Sequence, residues 1–142
     1  MARQLIEVGR AVKRLQMRHH RALDARLGAV GVSLVQWDAL QHLARRPGAS
    51  LHDLARLTGQ TDQSVGALAT RMADRGLIER IPGPGRAVRH RITESGQRVL
   101  EQAAPLGEAV LAESMSPLSH AEVEAFGDLL EKLLSADPFA EA

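Results

Sequence analysis

Residues 77–93 read LIERIPGPGRAVRHRIT and place Arg80, Arg86, Arg89, Arg91 and His90 around a Pro-Gly-Pro-Gly turn. A guanidinium is a permanent cation whose planar fork matches phosphate oxygens. Four of them on one short hairpin suit the binding of a polyanion better than bond-making chemistry. Just upstream lies TDQSVGALATRMADRG, residues 61–76. At about 100° per residue, Val65, Leu68, Ala69 and Met72 fall on one side of a helix. The other side collects Gln63, Gly66, Ala67, Thr70 and Asp74, with Arg71 at its flank. Solvated helix faces usually hold Glu, Lys and Arg, and an exposed mid-helix Gly costs about 1 kcal/mol relative to Ala. Small residues let a backbone approach base edges. A Gln near the helix start can pair with adenine, and hydroxyl and Arg side chains can hold phosphates. This combination suits a helix lying in the major groove of DNA.

Charge along the chain agrees with a localised anion-binding site. The formal net charge is only +1, yet residues 1–27 carry +5, residues 28–70 carry 0, residues 71–100 carry +4 and residues 101–142 carry −8. A basic middle and an acidic end in a near-neutral chain point to a polyanionic partner, with the acidic segment held away from phosphates.

Other chemistries find little support. There is no Cys, which excludes disulfides, thiolate zinc sites and cysteine nucleophiles. The six His are dispersed: His19 and His20 are adjacent and diverge on a helix, while His42, His52, His90 and His120 stand apart, so no metal site is expected. There is no phosphate-cradling glycine loop before a helix and no nucleophile elbow; GPGRAV lies between two strands. The chain is expected to be no enzyme and to need no cofactor. MARQLIEVGRAVKRLQ lacks an uninterrupted apolar stretch, and no apolar run is long enough to span a membrane, so a cytoplasmic protein is expected.

The elements that must position the basic hairpin and the small-residue helix are legible from periodicity and caps. The 142 residues fit one domain, and with aromatics at 2% the core must come from Leu, Val, Ile, Ala and Met, which suits helices. A first helix spans 3–27, with Leu5, Val8, Val12, Leu15, His19, Leu23 and Leu27 as its stripe; Gly28 and Gly31 end it. Ser33 with Gln36 opens a second helix with Leu34, Trp37, Leu40 and Leu43 inward, closed by Pro47-Gly48. Ser50 with Asp53 opens a short third, with Leu51, Leu54 and Leu57 inward. Thr61 opens the fourth, which runs to Gly76. Strands are expected over 77–81 and 87–92, with Val88, His90 and Ile92 inward and Arg89 and Arg91 outward. Thr93 caps a fifth helix to about Ser114, kinked at Pro105. Ser119 with Glu122 opens a sixth, whose stripe is Val123, Phe126, Leu129, Leu130, Leu133 and Leu134.

The third helix, a three-residue turn and the fourth helix have helix-turn-helix spacing, and the basic hairpin follows as a wing. A narrow minor groove attracts an inserted Arg, which gives the hairpin's charge a use. Here SLVQWDALQHLARRPG, LHDLARLTG, RMADRGLIER and GRAVRHRITESGQRVL together resemble the MarR family of winged-helix transcriptional regulators, most specifically over Ser33 to Leu100. The family's wing typically reads D-x-R-A-x-x-x-x-L-T-x-x-G. Its Asp corresponds to Pro84 and its Arg to Arg86, so here the turn itself must position Arg86.

The resemblance implies a mainly α fold of α+β type: one domain over 1–142, with a winged helix-turn-helix lobe at about 33–100 and dimerisation helices at 1–30 and 101–142. It implies a homodimer on a pseudo-palindromic double-stranded DNA operator, acting as a repressor released by a small aromatic or anionic effector. The candidate DNA contacts are Ser50, Thr61, Gln63, Ser64, Gly66, Ala67, Thr70, Arg71, Arg86, Arg89 and Arg91. Candidates for an effector pocket are Met17, His20, Trp37 and His42, with Arg14 as anion partner. The competing reading is a dimeric protein-interaction scaffold without specific DNA binding, which would more often expose aromatics than arginines.

Overall fold

The computed structural model describes residues 2–83, 85 and 87–140. It divides into two compact units, residues 1–110 and residues 111–142.

The first unit opens with α1 (Ala2–Leu27), which passes through a 3-10 turn (Gly28–Val30). α2 (Leu34–Arg45) starts where the Ser33 hydroxyl accepts from Gln36 N and the Gln36 side chain accepts from Ser33 N. α3 (Leu51–Thr58) repeats the device with Ser50 and Asp53. Hydrogen bonding to the carboxyl from the Ser50 backbone N–H first, and from the Ser50 side chain second, holds the Asp53 carboxyl below its ordinary pKa. α4 (Asp62–Asp74) starts at Thr61, whose hydroxyl accepts from Ser64 N at 3.1 Å. Caps of this kind each contribute about 1 kcal/mol and fix where a helix begins.

Two short strands follow, β1 (Ile78–Arg80) and β2 (His90–Ile92). They pair antiparallel, with Ile78 opposite Ile92, Glu79 opposite Arg91 and Arg80 opposite His90. The strands are shorter than the sequence alternation suggests. Pairing continues only as far as Ile81 N, which donates to Arg89 O at 2.9 Å; next comes Pro82, which has no N–H to give. α4 likewise stops two residues before Gly76, which takes the left-handed conformation (φ 72°) that favours glycine. α5 (Glu94–Met115) begins at Thr93, whose hydroxyl accepts from Gly96 N, and continues through Pro105.

The core of this unit gathers Leu27, Leu40, Leu43, Leu54, Val65, Met72 and Ile78, all essentially inaccessible. They come from the end of α1, from α2, α3 and α4, and from β1. Burying one such side chain stabilises by about 1.5–3 kcal/mol, so the helix-turn-helix is the firmly packed part. Leu51 and Leu57 are only half-buried. On α1, Leu23 and Leu27 are buried, but Leu5 is 70% exposed, and Val8 and Val12 are also exposed.

In the second unit, α6 (His120–Ser135) begins at a Ser119–Glu122 capping box and holds no buried residue. Val123 and Phe126 are half-buried, whereas Leu129, Leu133 and Leu134 are exposed, Leu134 at 82%. Among the described residues, no helix is long and apolar enough to cross a membrane.

Candidate nucleic-acid interface

α4 divides as its sequence requires. Val65, Leu68, Ala69 and Met72 are buried, while Thr61, Gln63, Ser64, Ala67, Thr70 and Arg71 are exposed and Gly66 is intermediate. The exposed face has one wide smooth stretch, because Gly66 and Ala67 carry almost no side chain. Thr70 turns its hydroxyl back to Gly66 O at 3.0 Å, and Thr61 donates to Ser64 Oγ at 2.9 Å. The hydroxyl protons are thus used within the helix, and the oxygens remain as acceptors. The Gln63 amide and the Arg71 guanidinium project from this surface.

Ser50 is not on it. It is buried, and its hydroxyl caps α3, so of the eleven sequence-derived contacts this one is a structural serine.

The wing is stitched to the segment before α3. Leu51 N donates to Val88 O at 3.0 Å, and Ser50 forms an isolated bridge with Arg89. Arg89 is exposed, but its Nη1 donates to Gly48 O, which pins the guanidinium to the loop after α2. Arg91 is also exposed, and its Nε donates to Glu79 Oε1 at 2.7 Å, directly across the ladder. Both arginines therefore keep an outward position with an internal partner. Beneath them His90 is buried at 6% exposure, with Nδ1 unpartnered among the described residues. Burial first, and the Arg80 cation second, push its pKa below the ordinary value. Neutral His90 thus belongs to the apolar base of the hairpin. Arg86 and Pro84 lie outside the described residues.

Two side chains beside this surface were not singled out by sequence. His52 on α3 brings Nδ1 to 3.0 Å from Asp62 Oδ1 at the start of α4. Opposite-charge types ten residues apart across the helix-turn-helix connection were the signal that could have found them. Glu79, the partner of Arg91, was legible only once the strand register was known.

The effector candidates do not converge. Arg14 and Met17 line one shallow groove along α1 together with Arg18, Arg21 and Ala22. His20 is exposed, and His42 lies 3.5 Å from Asp38 on its own helix. Trp37 packs its ring against Gly107 of α5, where a Cβ would overlap the indole, and its Nε1 is buried without a partner among the described residues. No group of three or more potential metal-ligating side chains occurs among the described residues.

A sequence model of the MarR family matches residues 30–87, which span α2 through the start of the wing. The chain is 29% identical over 103 residues to the transcriptional regulator HosA of Escherichia coli O111:H-, covering 71% of this chain and 76% of that protein. Its fold superposes with a TM-score of 0.82 on a mutant MarR from E. coli complexed with operator DNA, at 22% identity and 92% and 96% coverage. A Mycobacterium tuberculosis MarR family protein, Rv2887, in complex with salicylic acid, aligns at 25% identity with a TM-score of 0.75, over 88% of this chain and 94% of that one. With its capped helix pair, its smooth outward α4 face and its arginine-bearing hairpin, the chain has the winged helix-turn-helix fold of these MarR structures and is similar in sequence to the MarR family over residues 30–87.

Proposed function

We propose that this protein is a sequence-specific, double-stranded DNA-binding transcriptional regulator that represses from a pseudo-palindromic operator and is released by a small effector. The observation that carries this reading is the outer face of α4: Gln63, Ala67, Thr70 and Arg71 are exposed around Gly66, on a helix held rigid by Val65, Leu68 and Met72. Gln63 and Ser64 stand in the first turn, where recognition helices meet base edges. Arg71, Arg89, Arg91 and Arg86 hold the phosphate backbone, with Arg86 directed to the minor groove. The likeness to relatives named as regulators and repressors supports the same conclusion, as does the likeness to a relative solved with DNA. Neither these relatives nor the site suggests catalysis, and the cytoplasm is where such a protein works.

The regulator acts as a homodimer. Leu5, Ile6, Val8 and Val12 on α1, and Leu129, Leu133 and Leu134 on α6, form exposed apolar stripes in the single chain. Stripes of this extent mark association surfaces, and two-fold symmetry matches two half-sites about 34–36 Å apart. The effector is a small aromatic or anionic molecule, and the groove beside Arg14 and Met17 offers it a cation and a soft apolar contact.

Selection of bound duplexes from a random pool tests the proposal. The expected product is an inverted repeat, bound by a dimer and released by an aromatic acid, with quenching of Trp37 reporting the ligand. Enrichment of no sequence over the starting pool would overturn it.

A further inference from the structure

One pair of side chains beside the interface has no role in the contacts above. His52 is the second residue of α3 and Asp62 the first of α4. His52 Nδ1 lies 3.0 Å from Asp62 Oδ1 and 3.2 Å from Oδ2, so the ring faces the whole carboxylate. The two side chains are 66% and 69% exposed. An ion pair this exposed contributes only about 0–1 kcal/mol to folding. The helix dipole gives Asp62 a reason to stand at the start of α4, but it gives His52 no reason to seek it. On a surface that meets phosphates, a lone carboxylate is unfavourable.

Location supplies what folding does not. The beginning of α3 is tied on one side to the wing, through Leu51 N to Val88 O and the Ser50–Arg89 bridge. On the other side His52 reaches α4. His52 therefore stands between the two elements assigned to DNA. The first helix of a helix-turn-helix crosses the sugar-phosphate backbone there. When the ring is doubly protonated and gives Nδ1–H to Asp62, its one remaining donor is Nε2–H. Nε2 has no hydrogen-bond partner among the described residues, and the ring is mostly in solvent.

We propose that His52 donates from Nε2 to a phosphate oxygen of the operator backbone, and that Asp62 is the positioning residue that fixes the ring for this contact. The proposal rests on the DNA-binding reading above. Simple charge counting says that removing the Asp62 carboxylate strengthens DNA binding, because one negative charge leaves a surface facing phosphates. The dyad requires the reverse, because the ring loses its orientation and its counter-charge.

The experiment measures dissociation constants for one selected duplex from about 50 to 200 mM salt. The proteins are the wild type, His52→Ala, His52→Gln, Asp62→Asn and the His52→Ala/Asp62→Asn double variant. Thermal melts establish that each is folded. His52→Ala is expected to bind about tenfold more weakly, as suits one lost charge-assisted bond, and to lose about 0.9 from the salt slope. His52→Gln, which keeps a donor without charge, loses the same slope with a smaller loss of affinity. Asp62→Asn weakens binding in the wild type and fails to weaken it once His52 is absent. An unchanged salt slope in folded His52→Ala, or tighter binding by Asp62→Asn alone, overturns the dyad while wild-type binding keeps the DNA reading intact. A wild type that binds no duplex in a salt-dependent way removes both.

Discussion

The recognition helix and the wing meet the same proposed partner from opposite designs. α4 presents the exposed side chains of Gln63 and Arg71 beside hydroxyls that bond within the helix, over an apolar face that is fully packed. The hairpin presents more charge, but much of it is committed: Arg89 to Gly48 O and Arg91 to Glu79. Counting arginines therefore overstates the wing's free charge. In the proposed complex the helix would read, chiefly through Gln63 and Arg71. The wing would position, through Arg89 and Arg91, which already have internal partners. Specificity should follow α4, and salt dependence should follow the hairpin.

The largest effect expected from breaking this contrast is loss of the support beneath α4. Met72 is buried in the core, and Met72→Ala should cost about 2–5 kcal/mol of folding stability by chemical denaturation. Gln63→Ala should leave stability unchanged and relax discrimination at one position of each half-site by about 1–3 kcal/mol; uniform weakening on all sequences would make Gln63 a backbone contact. Arg86→Ala should weaken all duplexes alike, by several-fold or about 1 kcal/mol, with little change in melting temperature. An unchanged dissociation constant at fixed salt would remove the wing from the interface. Glu79→Gln sharpens the comparison with the smallest change, under about 1 kcal/mol. It frees Arg91, so affinity should rise slightly and the salt slope steepen.

His90 separates the two regions by pH. Its folded pKa lies below the ordinary 6.5, because burial and Arg80 disfavour the imidazolium. The unfolded chain therefore takes up the proton first as pH falls. Folding stability should be full above about pH 6.5 and decline below it. His90→Gln should flatten this decline in denaturation midpoints measured from about pH 7.5 to about pH 5. A wild-type profile that stays level would show that the imidazole is not held neutral under the hairpin.

Much of the fold was legible because it is set by local chemistry. The Ser33, Ser50, Thr61 and Ser119 caps each lie within three residues of their partners. The alternation of Arg89, His90 and Arg91 fixed which hairpin side chains face the core. What sequence could not give depends on distant partners. Gly48 lies 41 residues from Arg89, and nothing local says that the guanidinium is pinned there. Ser50 shows the same limit from the other side: its cap of α3 was legible, but its burial beside the proposed interface depends on neighbours distant in sequence. The apolar stripe of α1 is periodic throughout, yet only Leu23 and Leu27 are buried within the chain, because periodicity does not distinguish a core from a partner. Trp37 packs its ring on Gly107 of α5, a neighbour 70 residues away that its place on the apolar stripe does not name.

The most direct measurement is the salt dependence of binding to a selected inverted-repeat duplex and to a scrambled duplex of equal length. The proposed function predicts steep loss of affinity for both as salt rises, with the inverted repeat bound more tightly throughout and one dimer per site. Equal affinity for the two duplexes, or binding indifferent to salt, would contradict it.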